Sequence, residues 1–120
     1  MKKIGDGIHC DNAQLKLGGT YDHNFVINGD GLREAAVLQS KESGIRLTCF
    51  TDQPGVQLYV PCYTLHQKGI DGKDYPPYCA VCLETQHYPN AINIEHFPSV
   101  VLKAGENFRS KTLYHFSVMG

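Results

Sequence analysis

The 120-residue chain has no excess of either charge. Eleven Lys and Arg stand against twelve Asp and Glu, a formal net charge of −1, and no stretch gathers the basic residues. A nucleic acid or an anionic membrane surface, both of which call for a basic patch, is therefore not expected as a partner. Long apolar runs are lacking too, so no membrane-spanning helix is expected. The opening Met1-Lys2-Lys3-Ile4-Gly5-Asp6-Gly7 carries acid and glycine where a secretory leader needs an apolar segment, so no signal peptide is expected either. The cysteines do not form an even set. Five of them (Cys10, Cys49, Cys62, Cys79 and Cys82), with no leader, point to reduced thiols in a cytoplasmic protein rather than a disulfide framework. Helical periodicity is nearly absent, and there is no internal repeat or linker.

What is present is enough for one core. Hydrophobic residues make up 42% and charged ones 19%, which excludes a disordered chain, and the length predicts a single domain over residues 1–120. Two-residue alternation between turns recurs from residue 25 onward, so the expected class is all-β. Phe25-Val26-Ile27 runs into the turn Asn28-Gly29-Asp30-Gly31, Leu32 to Gln39 reads as a strand, and Lys41-Glu42-Ser43-Gly44 turns into Ile45 to Thr51. Asp52-Gln53-Pro54-Gly55 stops that strand, and Val56 to Val60 follows until Pro61 interrupts hydrogen bonding. Residues 64–78 read as a loop and Ala80 to Thr85 as a buried strand. Ser99 to Lys103 and Asn107 to Val118 read as a closing hairpin around Ala104-Gly105-Glu106.

Several local patterns carry chemical potential. Cys79-Ala80-Val81-Cys82 has the spacing of a zinc or redox half-site, but no second ligand pair accompanies it, and a pair of buried structural thiols is the expectation. Asp71-Gly72-Lys73-Asp74 lacks the remaining oxygen positions of a calcium loop and reads as a turn. The six His are dispersed. Glu84 is a carboxylate inside an otherwise apolar segment, Cys82 to Tyr88, where carboxylates need a partner or a purpose. Two environments are open to it. Desolvation would raise its pKa toward that of a general base, whereas an ion pair with Lys or Arg would lower it and make it structural. Asp22, in Tyr21-Asp22-His23-Asn24-Phe25 after the flexible Gly18-Gly19, reads by itself as a capped turn.

Four blocks, in order and across nearly the whole chain, resemble the aldose 1-epimerase (galactose mutarotase) family. They are Leu15-Lys16-Leu17-Gly18-Gly19-Thr20-Tyr21-Asp22-His23-Asn24-Phe25, then Pro54-Gly55-Val56-Gln57-Leu58-Tyr59, then Cys82-Leu83-Glu84-Thr85-Gln86-His87-Tyr88-Pro89. The last is the ending with Phe97-Pro98, Leu102, Gly105-Glu106 and Arg109-Ser110-Lys111-Thr112. The resemblance covers the closing portion of family chains, which are several-fold longer. It implies an antiparallel β-sandwich of the galactose mutarotase type, here its C-terminal part, with a hexose such as galactose or glucose bound in a cleft on one concave sheet. It further implies Glu84 as the general base, Asp22 as a carboxylate that hydrogen-bonds sugar hydroxyls, and Gln57 as a polar group lining the same cleft. The family's acid His, and an Arg and another His that hold the sugar, come from upstream of the matched portion. None of the six His matches them by motif, so little or no epimerase activity is expected of the isolated chain; were it active, a local residue such as His23 or His87 would be the substitute acid to test.

The chemistry explains these residue types. Interconverting α and β anomers requires a base to take the anomeric hydroxyl proton while an acid protonates the ring oxygen, so that the ring opens and recloses from the other face. Neither a metal nor an organic cofactor is expected. Val60-Pro61-Cys62 after Tyr59, Cys79-Ala80-Val81 where the pattern has Ser-Gly-Phe, and Asn90 in place of Asp depart from the family. The expected partners are a small-molecule sugar and either a second copy of the chain or an N-terminal partner chain. Two further roles stay open: a carbohydrate-binding module without turnover, and a structural segment that completes a β-sandwich.

Overall fold

The computed structural model describes residues 2–63 and 65–120. Along the chain run α1 (Ala13–Gly18), β1 (Asp22–Val26), β2 (Arg33–Gln39), β3 (Ile45–Thr51), β4 (Gly55–Tyr59), β5 (Leu65–Lys68), β6 (Asp74–Tyr75), β7 (Cys82–Gln86), a single 3₁₀ turn at Ala91–Asn93, and β8 (Thr112–Val118). Two three-stranded sheets, β1-β4-β7 and β2-β3-β8, account for most of the regular structure, with a two-stranded ribbon of β5 and β6. The expected all-β class therefore holds. Among the described residues no helix is long and apolar enough to cross a membrane.

The alternating segment around Lys41-Glu42-Ser43-Gly44 forms the hairpin its turn chemistry requires. Gly44 sits at φ 70 and donates its N–H to the Ser40 carbonyl at 2.9 Å, while the Ser40 hydroxyl accepts from Ser43 N at 3.2 Å. The antiparallel register then places Leu38 opposite Leu47 and Ala36 opposite Cys49, with an irregularity between Glu34 and Ala36. β8 joins the other edge of β3, also antiparallel, with Phe116 opposite Leu47 and Tyr114 opposite Cys49. Directly opposed residues share a face, so Leu38, Leu47 and Phe116 make one cross-strand row and Ala36, Cys49 and Tyr114 the next. Cys49 is fully buried and burial pushes its thiol pKa up, whereas Tyr114, Phe116 and Val118 stay exposed at the sheet edge.

The chain divides into two compact units, Met1–His23 with Gln57–Glu84, and Asn24–Val56 with Thr85–Gly120. In the first, Ile8 and Val60 are buried, and the buried Thr20 hydroxyl donates to the Val60 carbonyl at 2.8 Å. In the second, Arg33 organises the loops. Its Nε donates to Asn28 O, Nη1 to Gly31 O and Thr51 O, and Nη2 to Ile27 O and Gln53 O, at 2.7 to 3.2 Å. All five N–H groups of the guanidinium are thus bonded to backbone carbonyls, which fixes the turn after β1 against the segment after β3.

Three expectations need correction. The stretch 64–78 is not all loop: Leu65–Lys68 and Asp74–Tyr75 pair antiparallel, and Thr64 lies outside the described residues. The Asp71-Gly72 turn expected between them is present, with Gly72 at φ 75 and its N–H bonded to the Gly69 carbonyl at 2.9 Å. The closing hairpin does not form. The turn at Lys103 to Glu106 is there, but Ser99 to Lys103 is not a strand, because Thr112–Val118 takes β3 as its partner. A short helix also appears where none was expected. The Asn12 side chain caps α1 by accepting from Gln14 N at 2.9 Å, and Gly19 at φ 69 ends it.

Candidate functional site

The left-handed Gly19 and the Thr20 to Val60 hydrogen bond steer the chain into β1 beside β4, so Asp22 opens its strand next to Gln57. Gln57 Nε2 donates to Asp22 Oδ1 at 2.7 Å. Asp22 remains exposed, leaving most of its acceptor positions open to a solute. Glu84, in the middle of β7, flanks β4 on its other side.

Strand alternation sets which side chains point together within each strand. Asp22 points with Asn24, Gln57 with Gly55, and Glu84 with Gln86. The second members of these pairs are tied together: Gln86 Nε2 donates to Asn24 Oδ1 at 3.4 Å, and a Cβ placed on Gly55 would come within 2.5 Å of that same Asn24 oxygen. Glycine in the middle strand is what lets the Asn24 amide lie across it. Asn24, Gly55 and Gln86 therefore belong to one face within the second unit; in the first unit Asp22 and Gln57 are joined by their own hydrogen bond, and Glu84 stands on the strand at the other side of β4.

Neither environment considered for Glu84 is found. The strand begins at Cys82 rather than Ala80, and Glu84 is exposed with no ion pair among the described residues. Its carboxylate is available to a ligand instead of being engaged by the protein. The two histidines considered as substitute acids are elsewhere. His23 alternates with Asp22, so it projects from the opposite face, and its Nδ1 accepts from Asp22 N at 3.1 Å. His87 lies past the end of β7 and engages Gln53 through Nδ1 at 2.9 Å. The expected pair of buried thiols is also not observed: Cys79 is exposed and Cys82 half-buried, and all five cysteines are free. Among the described residues no group of three or more His, Cys, Asp or Glu could hold a metal ion.

Sequence reasoning missed Tyr59, Asn24 and Gln86. Tyr59 shares the face of Gln57 on β4 and donates its hydroxyl to Tyr63 at 2.8 Å. That bond, helped by partial desolvation and by the neighbouring Tyr63, Cys62 and Asp22, pushes the Tyr59 pKa up to about 12. The signal that could have found it is period two: Gly55, Gln57 and Tyr59 are spaced as one face. In an alkaline titration followed by phenolate absorbance, one Tyr should ionise at about 12. Tyr63→Phe, which removes the largest cause, should move that step back toward the ordinary phenol near 10. The protonated phenol is the form favoured in the fold, so its stabilising contribution is full below the ordinary pKa and is lost as pH rises through the raised one.

Comparison with known proteins places this face in context. The family model described as aldose 1-epimerase matches residues 2–115. The chain is 43% identical over 102 residues to galactose mutarotase from Bos taurus, covering 82% of this chain and 29% of the relative. It is 40% identical over 121 residues to galactose mutarotase from Homo sapiens, covering 98% of this chain and 34% of that one. The crystal structure of a GalM/aldose epimerase homologue from C. elegans superposes with a TM-score of 0.75 at 31% identity, covering 83% of this chain and 30% of the homologue. The chain belongs to the aldose 1-epimerase family, and its strands have the fold of a solved member of that family. It spans about a third of the length of the curated relatives it matches.

Proposed function

We propose that this chain carries the base and part of the sugar-binding surface of an aldose 1-epimerase, acting on a hexose such as galactose or glucose. The observation that supports this most directly is the 2.7 Å bond between Gln57 and Asp22 on neighbouring strands, with the exposed Glu84 on the strand that flanks β4 on its other side. On this reading Asp22 accepts hydrogen bonds from neighbouring sugar hydroxyls and Gln57 holds its carboxylate in place. Glu84 takes the proton from the anomeric hydroxyl. Ring opening needs an acid at the ring oxygen as well. With His23 on the other face and His87 bonded to Gln53, the acid comes from a further polypeptide segment or chain. Binding then precedes and outlasts turnover in the isolated chain, which keeps the carbohydrate-binding reading as the limiting case.

Titration of galactose followed by NMR tests the binding half. Weak binding is expected, because only part of the contact surface is present. Asp22→Ala should weaken it more than Glu84→Gln, which keeps shape and hydrogen-bonding capacity. Equal responses to galactose and to a polar non-sugar would remove the sugar from the proposal.

We also propose that the chain does not stand alone. Tyr114, Phe116 and Val118 on the edge strand β8 are 47%, 66% and 82% exposed, and Ile45, opposite Val118 on β3, is 47% exposed, more apolar surface than a free edge usually carries. A two-fold pairing of copies, or a partner chain laid on this edge, covers it. Sedimentation should show self-association. A compact monomer at high concentration would count against it.

A further inference from the structure

The second unit holds a cavity of about 500 Å³ where the chain leaves β1, enters β4 and leaves β7. Its size is that of an ordinary small-molecule site, and none of its residues takes part in the chemistry proposed above. Its polar wall has a defined hydrogen-bonding character. Gln53 is 6% exposed, and its Nε2 donates to Ser110 Oγ at 2.7 Å, so its Oε1 is the atom facing His87 Nδ1 at 2.9 Å. His87 Nδ1 must then carry the proton, and Nε2 of the neutral ring is left as an acceptor. Asp52 is held by the Lys111 N–H, 3.0 Å from each carboxylate oxygen, which lowers its pKa from the usual carboxylate value. Arg109 makes no side-chain hydrogen bond or ion pair among the described residues. Phe108 leaves 65% of its surface exposed on the cavity rim.

Charge selects the kind of ligand. Asp30 and Asp52 are matched by Arg33 and Arg109, so the lining favours neither an anion nor a cation. Arg33, moreover, has every N–H engaged by a backbone carbonyl and offers no donor. What remains is a mixture of acceptors on His87 and Asp52, donors on Arg109, and an aromatic face on Phe108. We infer that this cavity binds a neutral polyol of pyranose size, whose hydroxyls donate to His87 Nε2 and Asp52 and accept from Arg109, while its C–H face lies against the Phe108 ring. The electron-rich ring face suits the weakly positive C–H groups of a sugar, as it suits the positive edge of another aromatic ring.

A methyl galactoside serves as the probe, because its blocked anomeric oxygen rules out turnover. In an NMR titration of the isotope-labelled chain, the amides of Gly29, Gly31 and Phe108 should shift with a dissociation constant on the order of 10 mM. Phe108→Ala and Arg109→Ala change exposed side chains, so the fold should persist. Each should weaken this response by about tenfold, a loss equivalent to one good contact, and leave shifts around Asp22 and Gln57 unchanged. Asp22→Ala should do the reverse, so failure of this site and failure of the proposed epimerase face are separately visible. No shift at the cavity amides, the same shifts with inorganic phosphate or glycine, or indifference to Phe108→Ala would overturn the inference.

Discussion

Mixed with the N-terminal portion of a galactose mutarotase, the chain is expected to raise glucose mutarotation by about 10²–10⁴-fold over the chain alone, the range that one positioned proton-transfer group contributes. Alone, it should leave the polarimetric rate close to that of buffer, since His23 projects from the face opposite Asp22 and His87 is bonded to Gln53, so neither is placed as the acid. Glu84→Gln in the mixture should remove the gain by a similar factor, because the amide keeps the shape but cannot accept a proton from the anomeric hydroxyl. Asp22→Ala should act chiefly through binding. Rapid mutarotation by the chain alone, abolished by Glu84→Gln, would place an acid within this chain and overturn the argument for an external one.

The second large effect concerns stability. Arg33→Met keeps the length of the side chain but removes five donors at once, leaving the Ile27, Thr51 and Gln53 carbonyls, which accept part-buried bonds, without their partners. Hydrogen bonds from a charged donor contribute roughly 1.5–3 kcal/mol each where an unsatisfied group is left behind, though their losses are not additive. A destabilisation of about 3 kcal/mol is expected, with a fall in Tm of about 10 °C or more for a domain of this size. Arg33→Lys should recover only part of it, because an ammonium has three donors and no planar fork. A denaturant midpoint shifted by less than the equivalent of about 0.5 kcal/mol, the range of an ordinary surface change, would mean the loops hold without the clamp.

Where pairing is local, the strands were legible from the residues. Ile45 to Thr51 appears with the boundaries that alternation sets, and the strand before it differs by one residue, because Ser43-Gly44 supplies the turn and the partner is next in sequence. Ser99 to Lys103 was misread for the opposite reason. Its neighbours 112–118 pair with residues far upstream, while the segment before them is tied down by single contacts such as Ser110 Oγ on Gln53 and Asp52. Alternation cannot reveal that kind of anchoring. The helix at Ala13–Gly18 was missed because its evidence is in the caps, Asn12 and Gly19, rather than in an apolar stripe: it has no buried residue.

In the candidate site, the resemblance brought Asp22, Gln57 and Glu84 together, and residue types alone did not. Composition around Glu84 suggested burial, because Ala80, Val81 and Leu83 are apolar, yet the strand starts two residues later and turns the carboxylate outward. The Asn24 bridge over Gly55 could not be read from either residue singly. It depends on three strands lying in the order β1-β4-β7, and that order is set by connections of 28 residues (27–54) and 22 residues (60–81).

The pairing of β8 with β3 also has a kinetic side. Thr51 and Thr112, opposite one another and bonded hydroxyl to hydroxyl, are 61 residues apart, whereas the β2–β3 hairpin closes over five residues. Local closure is fast and distant closure slow, since each doubling of a loop adds about 0.6 kcal/mol of entropy before any contact repays it. The hairpin should therefore form first and wait with one side of β3 unpaired. During refolding this interval, rather than the finished molecule, is when another chain can most readily take the place of β8, so yield should fall with protein concentration even under conditions where the native state is stable.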